Sequence, residues 1–208
     1  MREKQKPLSM IRSYTPADLF TLANAICGTL TLFLCLSYIA DDKSSQVWGA
    51  FVLPLFALVF DALDGYVARL NKRRQSLIGA DLDSLADIVS FGVAPAVLGY
   101  TLGLRGFWDV LCLIYFVCCG ISRLARFNVT SDALTNADTG KVKYFEGTPI
   151  PTSVVLVLLL AVLYWFGLTG DRFWWGHWEV LDRGFHPLSI LFFVSGSLMI
   201  STIRVPKP

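Results

Sequence analysis

Apolar residues fall into six runs, at about 17–40, 47–69, 82–104, 107–127, 150–169 and 187–204, separated by shorter polar stretches. A helix that crosses a bilayer needs about 20 mostly apolar residues. The second and third runs carry aspartates, which lowers their hydropathy. Without them, however, the intervening loops would be too long and too apolar. The pattern predicts an all-α integral membrane fold of six transmembrane helices, occupying residues 17–208 behind a basic juxtamembrane segment at 1–16. No internal repeat or low-complexity segment interrupts it.

Charge gives the runs a direction. Lysine and arginine collect on the cytoplasmic side of membrane proteins. With the N-terminus inside, the inner segments hold all of the 18 such residues except Lys43, Arg105, Arg172 and Arg183. Both termini are therefore expected in the cytoplasm. The six tryptophans all fall near the opposite boundary, as an interfacial belt does. Phe173–Trp178 is expected on the outer surface, and His177 and His186 lie in this outer loop, far from the aspartates. The first 18 residues mix basic positions with Leu8, Met10, Ile11 and Tyr14. They read either as an amphipathic helix on an anionic leaflet or as a basic tail that enforces topology.

Composition agrees, with 54% hydrophobic and only 16% charged residues. A soluble domain carries about 25% charged residues. A net charge of +2 gives no reason to expect a nucleic-acid partner. Cys27, Cys35, Cys112, Cys118 and Cys119 lie in apolar stretches at no metal-ligand spacing, so they read as packing residues. The first run lacks a cleavage-type site after it and is read as a retained span.

The candidate chemistry sits at the junction of the second and third runs. Asp61 and Asp64 are three apart, and Asp83 and Asp87 are four apart. On helices each spacing puts a pair on one face, about one turn apart. The first pair ends a helix running inward and the second begins a helix running outward, so four carboxylates can converge at the cytoplasmic end of one antiparallel pair. Four such charges repel one another and are costly near a membrane. A divalent metal offsets this, and oxygen ligands in this number suit two Mg²⁺ or Mn²⁺ ions rather than zinc. Asp81, off that face, is expected to cap its helix. Gly65 and Gly79 flank the cluster and either admit a ligand to the backbone or serve helix packing. Arg69, one turn past Gly65, can hold a phosphate. A cation transporter would also place acids in a membrane. These acids cluster at one end, though, and the outer halves of both runs are apolar.

With those residues in place, the chain resembles the CDP-alcohol phosphotransferase family. The family pattern, Asp-x2-Asp-Gly-x2-Ala-Arg followed by Gly-x3-Asp-x3-Asp, is filled by Asp61, Asp64, Gly65, Ala68, Arg69, Gly79, Asp83 and Asp87. The gap between the halves holds nine residues where the family often has eight, the extra one falling in a loop. The resemblance implies a six-helix homodimer in the cell (inner) membrane with a di-metal site facing the cytoplasm. It implies Asp61, Asp64 and Asp83 as metal ligands, Asp87 as metal-site residue and general base, and Gly65, Ala68, Arg69 and Gly79 as the nucleotide and phosphate pocket.

The rest of the chain resembles the serine-using branch of that family. The carrying stretches are 17–24 with Cys27-Gly28, Ser122–Asn128, and Phe145–Pro151. This implies transfer of a phosphatidyl group from CDP-diacylglycerol to L-serine. Glycerol 3-phosphate or an inositol phosphate is the alternative acceptor. Arg123 and Arg126, three apart at the inner end of the fourth run, suit a carboxylate or lipid phosphate, or else simply set topology. Thr21 and Asn24, one turn apart in the first run, are candidate nucleotide contacts or interhelical hydrogen-bond formers.

Overall fold

A computed structural model describes residues 14–70, 78–135, 144–173, 176, 178–181, 183–201 and 204–206. The basic N-terminal segment, read either as an amphipathic helix or as a topology-setting tail, lies almost wholly outside these residues. So do Lys72, Arg73 and Arg74, His177, Trp174 and Trp175, and the middle of the 128–149 loop.

Helix α1 (Pro16–Asp41) starts where its sequence says it must. The Thr15 side chain accepts from the Asp18 backbone N–H, and the Asp18 carboxylate accepts from the Thr15 N–H at 2.6 Å. Pro16 fills the first turn, where no N–H is needed. Asp42, at φ 52°, ends the helix. Only Asp42 and Lys43 separate it from α2 (Ser44–Leu70), so the two pack as an antiparallel hairpin.

The next helix is continuous over Gly79–Leu102 but not uniform. It comprises α3 (Gly79–Asp87), a π-helical segment at Ile88–Val93 and α4 (Ala94–Leu102). At its end the N–H of Ala94 reaches back five residues to the Val89 carbonyl. Residues buried inside the protein make up 67% of this helix's apolar window, against 33% for α1 and 28% for α2. It is the centre of the bundle, and the other helices wrap it.

Helix α5 (Phe107–Thr135) runs eight residues past the expected end of the fourth span. Pro149 leads into a 3₁₀ turn at Ile150–Ser153, followed by α6 (Val154–Trp165). The last helix, α7 (Ser189–Met199), is shorter than the span expected at 187–204. The chain leaves it to form a strand, β4 (Arg204–Pro206), which pairs antiparallel with β1 (Tyr144–Glu146), Phe145 opposite Val205. A second ribbon joins β2 (Trp178–Val180) to β3 (Arg183–Phe185). Among the described residues, four helices are thus long and apolar enough to cross a membrane, while Ile150–Trp165 and Ser189–Met199 are shorter apolar helices. The chain is a mostly helical integral membrane protein with two small ribbons.

Phe91, Leu98, Phe116, Ile150, Val157 and Phe192 form the heart of the core. Ile26, Phe33, Phe56, Val155 and Phe193 remain exposed on outward faces, as a lipid-facing surface requires. Trp48, Phe51, Tyr164 and Trp165 cluster edge-to-face near the α1–α2 turn, at the end away from the aspartates. All five cysteines are free; Cys118 is exposed and Cys112 half-buried. Phe173 is buried against the His186 ring.

Candidate active site

The end of α2 and the start of α3 carry the four acids. The structure brings three together: oxygens of Asp61, Asp83 and Asp87 all lie within 4.8 Å of one another. Asp64 is buried beside them but turns toward α1, where its Oδ2 accepts from the Thr21 hydroxyl at 2.8 Å. Asn24, one turn along α1, donates from Nδ2 to Asp87 Oδ1 at 3.0 Å. Of the two readings open for Thr21 and Asn24, hydrogen bonding between helices is the one the geometry displays.

Close approach of α1 to the central helix depends on Gly28. A Cβ there would collide with the Ser90 hydroxyl and lie 2.8 Å from the Ser90 Cα. With glycine in place, the Ser90 hydroxyl donates to the Asn24 carbonyl at 2.9 Å. A second polar link crosses to α5. The Ser84 hydroxyl donates to Asn128 Oδ1 at 3.1 Å, and Asn128 Nδ2 donates to Asp81 Oδ1 at 3.3 Å. Asp81 therefore ties helices together. The N-cap position belongs to Ile78, which makes no side-chain cap bond.

Several polar atoms around the acids are buried and unsatisfied. Asp83 Oδ1, Asn24 Oδ1 and Arg123 Nε have no hydrogen-bond partner among the described residues. Each buried polar group left without a partner costs about 1–3 kcal/mol. Three carboxylates brought together with an unpaired oxygen fit a hard divalent cation. Mg²⁺–oxygen bonds of about 2.1 Å put opposite ligand atoms about 4.2 Å apart, close to the span observed. Asp61, Asp83 and Asp87 are the residues that can hold such an ion.

The flanking residues of the motif lie beside the acids on the same two helices. The Arg69 guanidinium lies over Gly65, its nitrogens 3.6 and 3.9 Å from the position of a Cβ there. Ala68 and Arg69 are exposed, Gly65 is half-buried, and Gly79 is the first residue of α3. Arg123 is half-buried within electrostatic reach of Asp87, and Arg126 is exposed. Both line a cavity of about 400 Å³ between α5 and α7, with Tyr115, Cys119, Ser122 and Met199.

Sequence reasoning missed a second buried acid. Asp109, in the first turn of α5, has no exposed surface. It accepts from the Gly106 N–H at 3.0 Å and the His186 N–H at 2.8 Å, and pairs with His186 Nδ1 at 2.6 Å. The local clue was the three-residue step from Gly106 to Asp109; its partner His186 lies 77 residues on.

The comparisons agree with this geometry. A family profile described as CDP-alcohol phosphatidyltransferase matches residues 14–194, including every residue of the acid cluster. The chain is 44% identical over 205 residues to the CDP-diacylglycerol–serine O-phosphatidyltransferase of Saccharomyces cerevisiae, covering 96% of this chain and 73% of that protein. It is 36% identical over 192 residues to the archaetidylserine synthase of Methanothermobacter thermautotrophicus, covering 91% and 69%. To the CDP-diacylglycerol–serine O-phosphatidyltransferase of Helicobacter pylori J99 it is 36% identical over 199 residues, covering 93% and 73%. With a match spanning most of its length and a carboxylate cluster at the motif, the chain belongs to the CDP-alcohol phosphatidyltransferase family.

Proposed function

We propose that the chain transfers a phosphatidyl group from CDP-diacylglycerol to the hydroxyl of L-serine, giving phosphatidylserine and CMP. The observation that carries this reading is the convergence of Asp61, Asp83 and Asp87 at the family motif. The names of its relatives, synthases of serine phospholipids, support serine as the acceptor.

Asp61, Asp83 and Asp87, with Asp64 joining them through its other oxygen, would hold two Mg²⁺ or Mn²⁺ ions. Bound there, divalent cations supply positive charge that stabilises the departing phosphate. Gly65, Ala68 and Gly79 leave room for the nucleotide, and Arg69 meets its phosphates. Asp87 accepts the proton from the serine hydroxyl. The hydroxyl oxygen then bonds to the lipid-bearing phosphorus as the bond to the bridging oxygen breaks, and CMP leaves with that oxygen. Arg123 and Arg126, lining the cavity beside Asp87, receive the serine carboxylate or the lipid phosphate.

The same reading includes a six-span domain at 17–208 preceded by the basic segment at 1–16. It also includes a homodimer in the cell (inner) membrane with termini and active site on the cytoplasmic face. The excess of lysine and arginine in the inner segments supports that orientation. The test is CMP release by protein purified in detergent with CDP-diacylglycerol and Mn²⁺ or Mg²⁺. Serine, glycerol 3-phosphate and inositol phosphate are compared as acceptors. Release that requires serine is the expected result; release driven by another acceptor overturns the substrate.

A further inference from the structure

The carboxylate assigned as the base is held from outside its own helix, by a device centred on Asn24. Asn24 has no exposed surface. Its Nδ2 donates to Asp87 Oδ1 at 3.0 Å, and its backbone carbonyl accepts from the Ser90 hydroxyl at 2.9 Å. Asp87 and Ser90 bracket the start of the π-helical segment, Ile88–Val93. One residue of α1 therefore grips the central helix twice, on each side of the point where its winding changes. π-Helical turns are rare and concentrate at functional sites.

The pairing within the amide is lopsided. Nδ2 is spent on Asp87, while Oδ1 is buried with no partner among the described residues. A purely architectural asparagine would be expected to satisfy both ends. This one gives its donor to a single carboxylate oxygen and leaves its acceptor unused. Donation to one oxygen of a carboxylate orients the group and leaves the other oxygen for chemistry, as outer hydrogen-bond partners do around metal sites.

We propose that Asn24 is a positioning residue for the transfer reaction. It fixes the Asp87 carboxylate through its amide and fixes the π-helical turn through the Ser90 tether. The inference rests on the assignment of Asp87 as the base. It assigns Asn24 to the reaction step rather than to recognition of the nucleotide, and the two roles separate kinetically. A nucleotide contact acts on binding. A residue that aims the base acts on turnover.

The experiment compares the wild-type protein with Asn24→Ala, Ser90→Ala and Asp87→Asn, all full-length in detergent. It measures kcat and KM for both substrates by CMP release, CDP affinity by titration, and the melting temperature. In Asn24→Ala, kcat falls about 10–100-fold, the usual effect of losing an outer hydrogen-bond partner. KM for CDP-diacylglycerol and the affinity for CDP stay within about twofold, as expected when only the reacting geometry is lost. Ser90→Ala lowers kcat in the same sense by a smaller factor.

A raised KM for CDP-diacylglycerol and weakened CDP binding at unchanged kcat would make Asn24 a nucleotide contact and overturn the inference. Unchanged kinetics in Asn24→Ala would overturn it too. If Asn24→Ala does not fold, Ser90→Ala decides: a normal melting temperature with wild-type kcat sinks the inference. Undiminished turnover in Asp87→Asn, or no CMP from the wild-type protein, sinks the underlying reading and this inference with it. An inactive Asp87→Asn beside an undiminished Asn24→Ala sinks the inference alone.

Discussion

Two polar centres sit at opposite ends of the central helix, Gly79–Leu102, and they differ in how their carboxylates are satisfied. Past its last residue, Asp109 is saturated. Two backbone N–H groups and the His186 ring occupy its carboxylate. At its first turns, Asp61, Asp83 and Asp87 crowd within 4.8 Å and Asp83 keeps an oxygen unpaired. A polar group buried for architecture finds its partners within the chain. A group buried for chemistry keeps capacity in reserve for something that is not part of the chain. The Asp109 carboxylate has its partners within the chain, whereas the half-buried Asp83 keeps an oxygen that no described residue meets.

The largest test of this contrast is at Asp87. Replacing it with asparagine is expected to lower CMP release about 10²–10⁴-fold, the usual worth of a positioned base. Thermal melting stays unchanged or rises, because a repelling charge is gone. Chelation with EDTA should abolish release and added Mn²⁺ or Mg²⁺ restore it; activity that survives thorough chelation would break the metal assignment. The mirror experiment is Asp109→Ala. Each of the donors it abandons costs about 1–3 kcal/mol, so the melting temperature drops sharply while kcat per folded molecule holds. A kcat that falls with stability intact would mean that the two centres are not distinct.

Smaller effects sharpen the boundary between them. Thr21→Val removes the hydroxyl that Asp64 accepts from. About tenfold loss of activity is expected, at the low end for an outer partner of a metal site. Apparent Mn²⁺ affinity, read from activation curves, should weaken in parallel. Asn128→Ala cuts the link from α5 to Ser84 and Asp81. Those bonds are partly exposed, so about 1 kcal/mol of stability is at stake, visible as a modest shift in melting with little change in activity.

How far these centres could be read from sequence depends on how local each is. The spacings of Asp61–Asp64 and Asp83–Asp87 follow helical periodicity, and only eight residues separate their helices in sequence, so their convergence was legible. That Asp64 turns aside was not, because it depends on Thr21, 43 residues away. Asp109 escaped notice for the same reason, its partner lying across two helices. The end of α7 was misjudged because apolar length was the only guide. Its early stop reflects the pairing of Arg204–Pro206 with Tyr144–Glu146, which leaves no periodic trace in either segment. The π-helical segment was equally silent; it lies where α1 meets Ser90 at Gly28.

The high burial of the central helix bears on how the protein is made. A helix with 67% of its apolar window covered by its neighbours meets little lipid when finished, and it carries acids that hydrocarbon tolerates poorly. During synthesis it follows α1 and α2, which share a two-residue turn and can enter the bilayer as a ready hairpin. Thr21 and Asn24 are then already waiting for Asp64 and Asp87. The third helix thus enters beside a surface that has a donor for Asp87, and the order of the helices along the chain doubles as an order of assembly. Moving the first helix to the end of the chain would leave the carboxylates without those donors through most of translation. Such a permuted chain should be caught by membrane quality control more often than the natural one, even though its finished fold is the same.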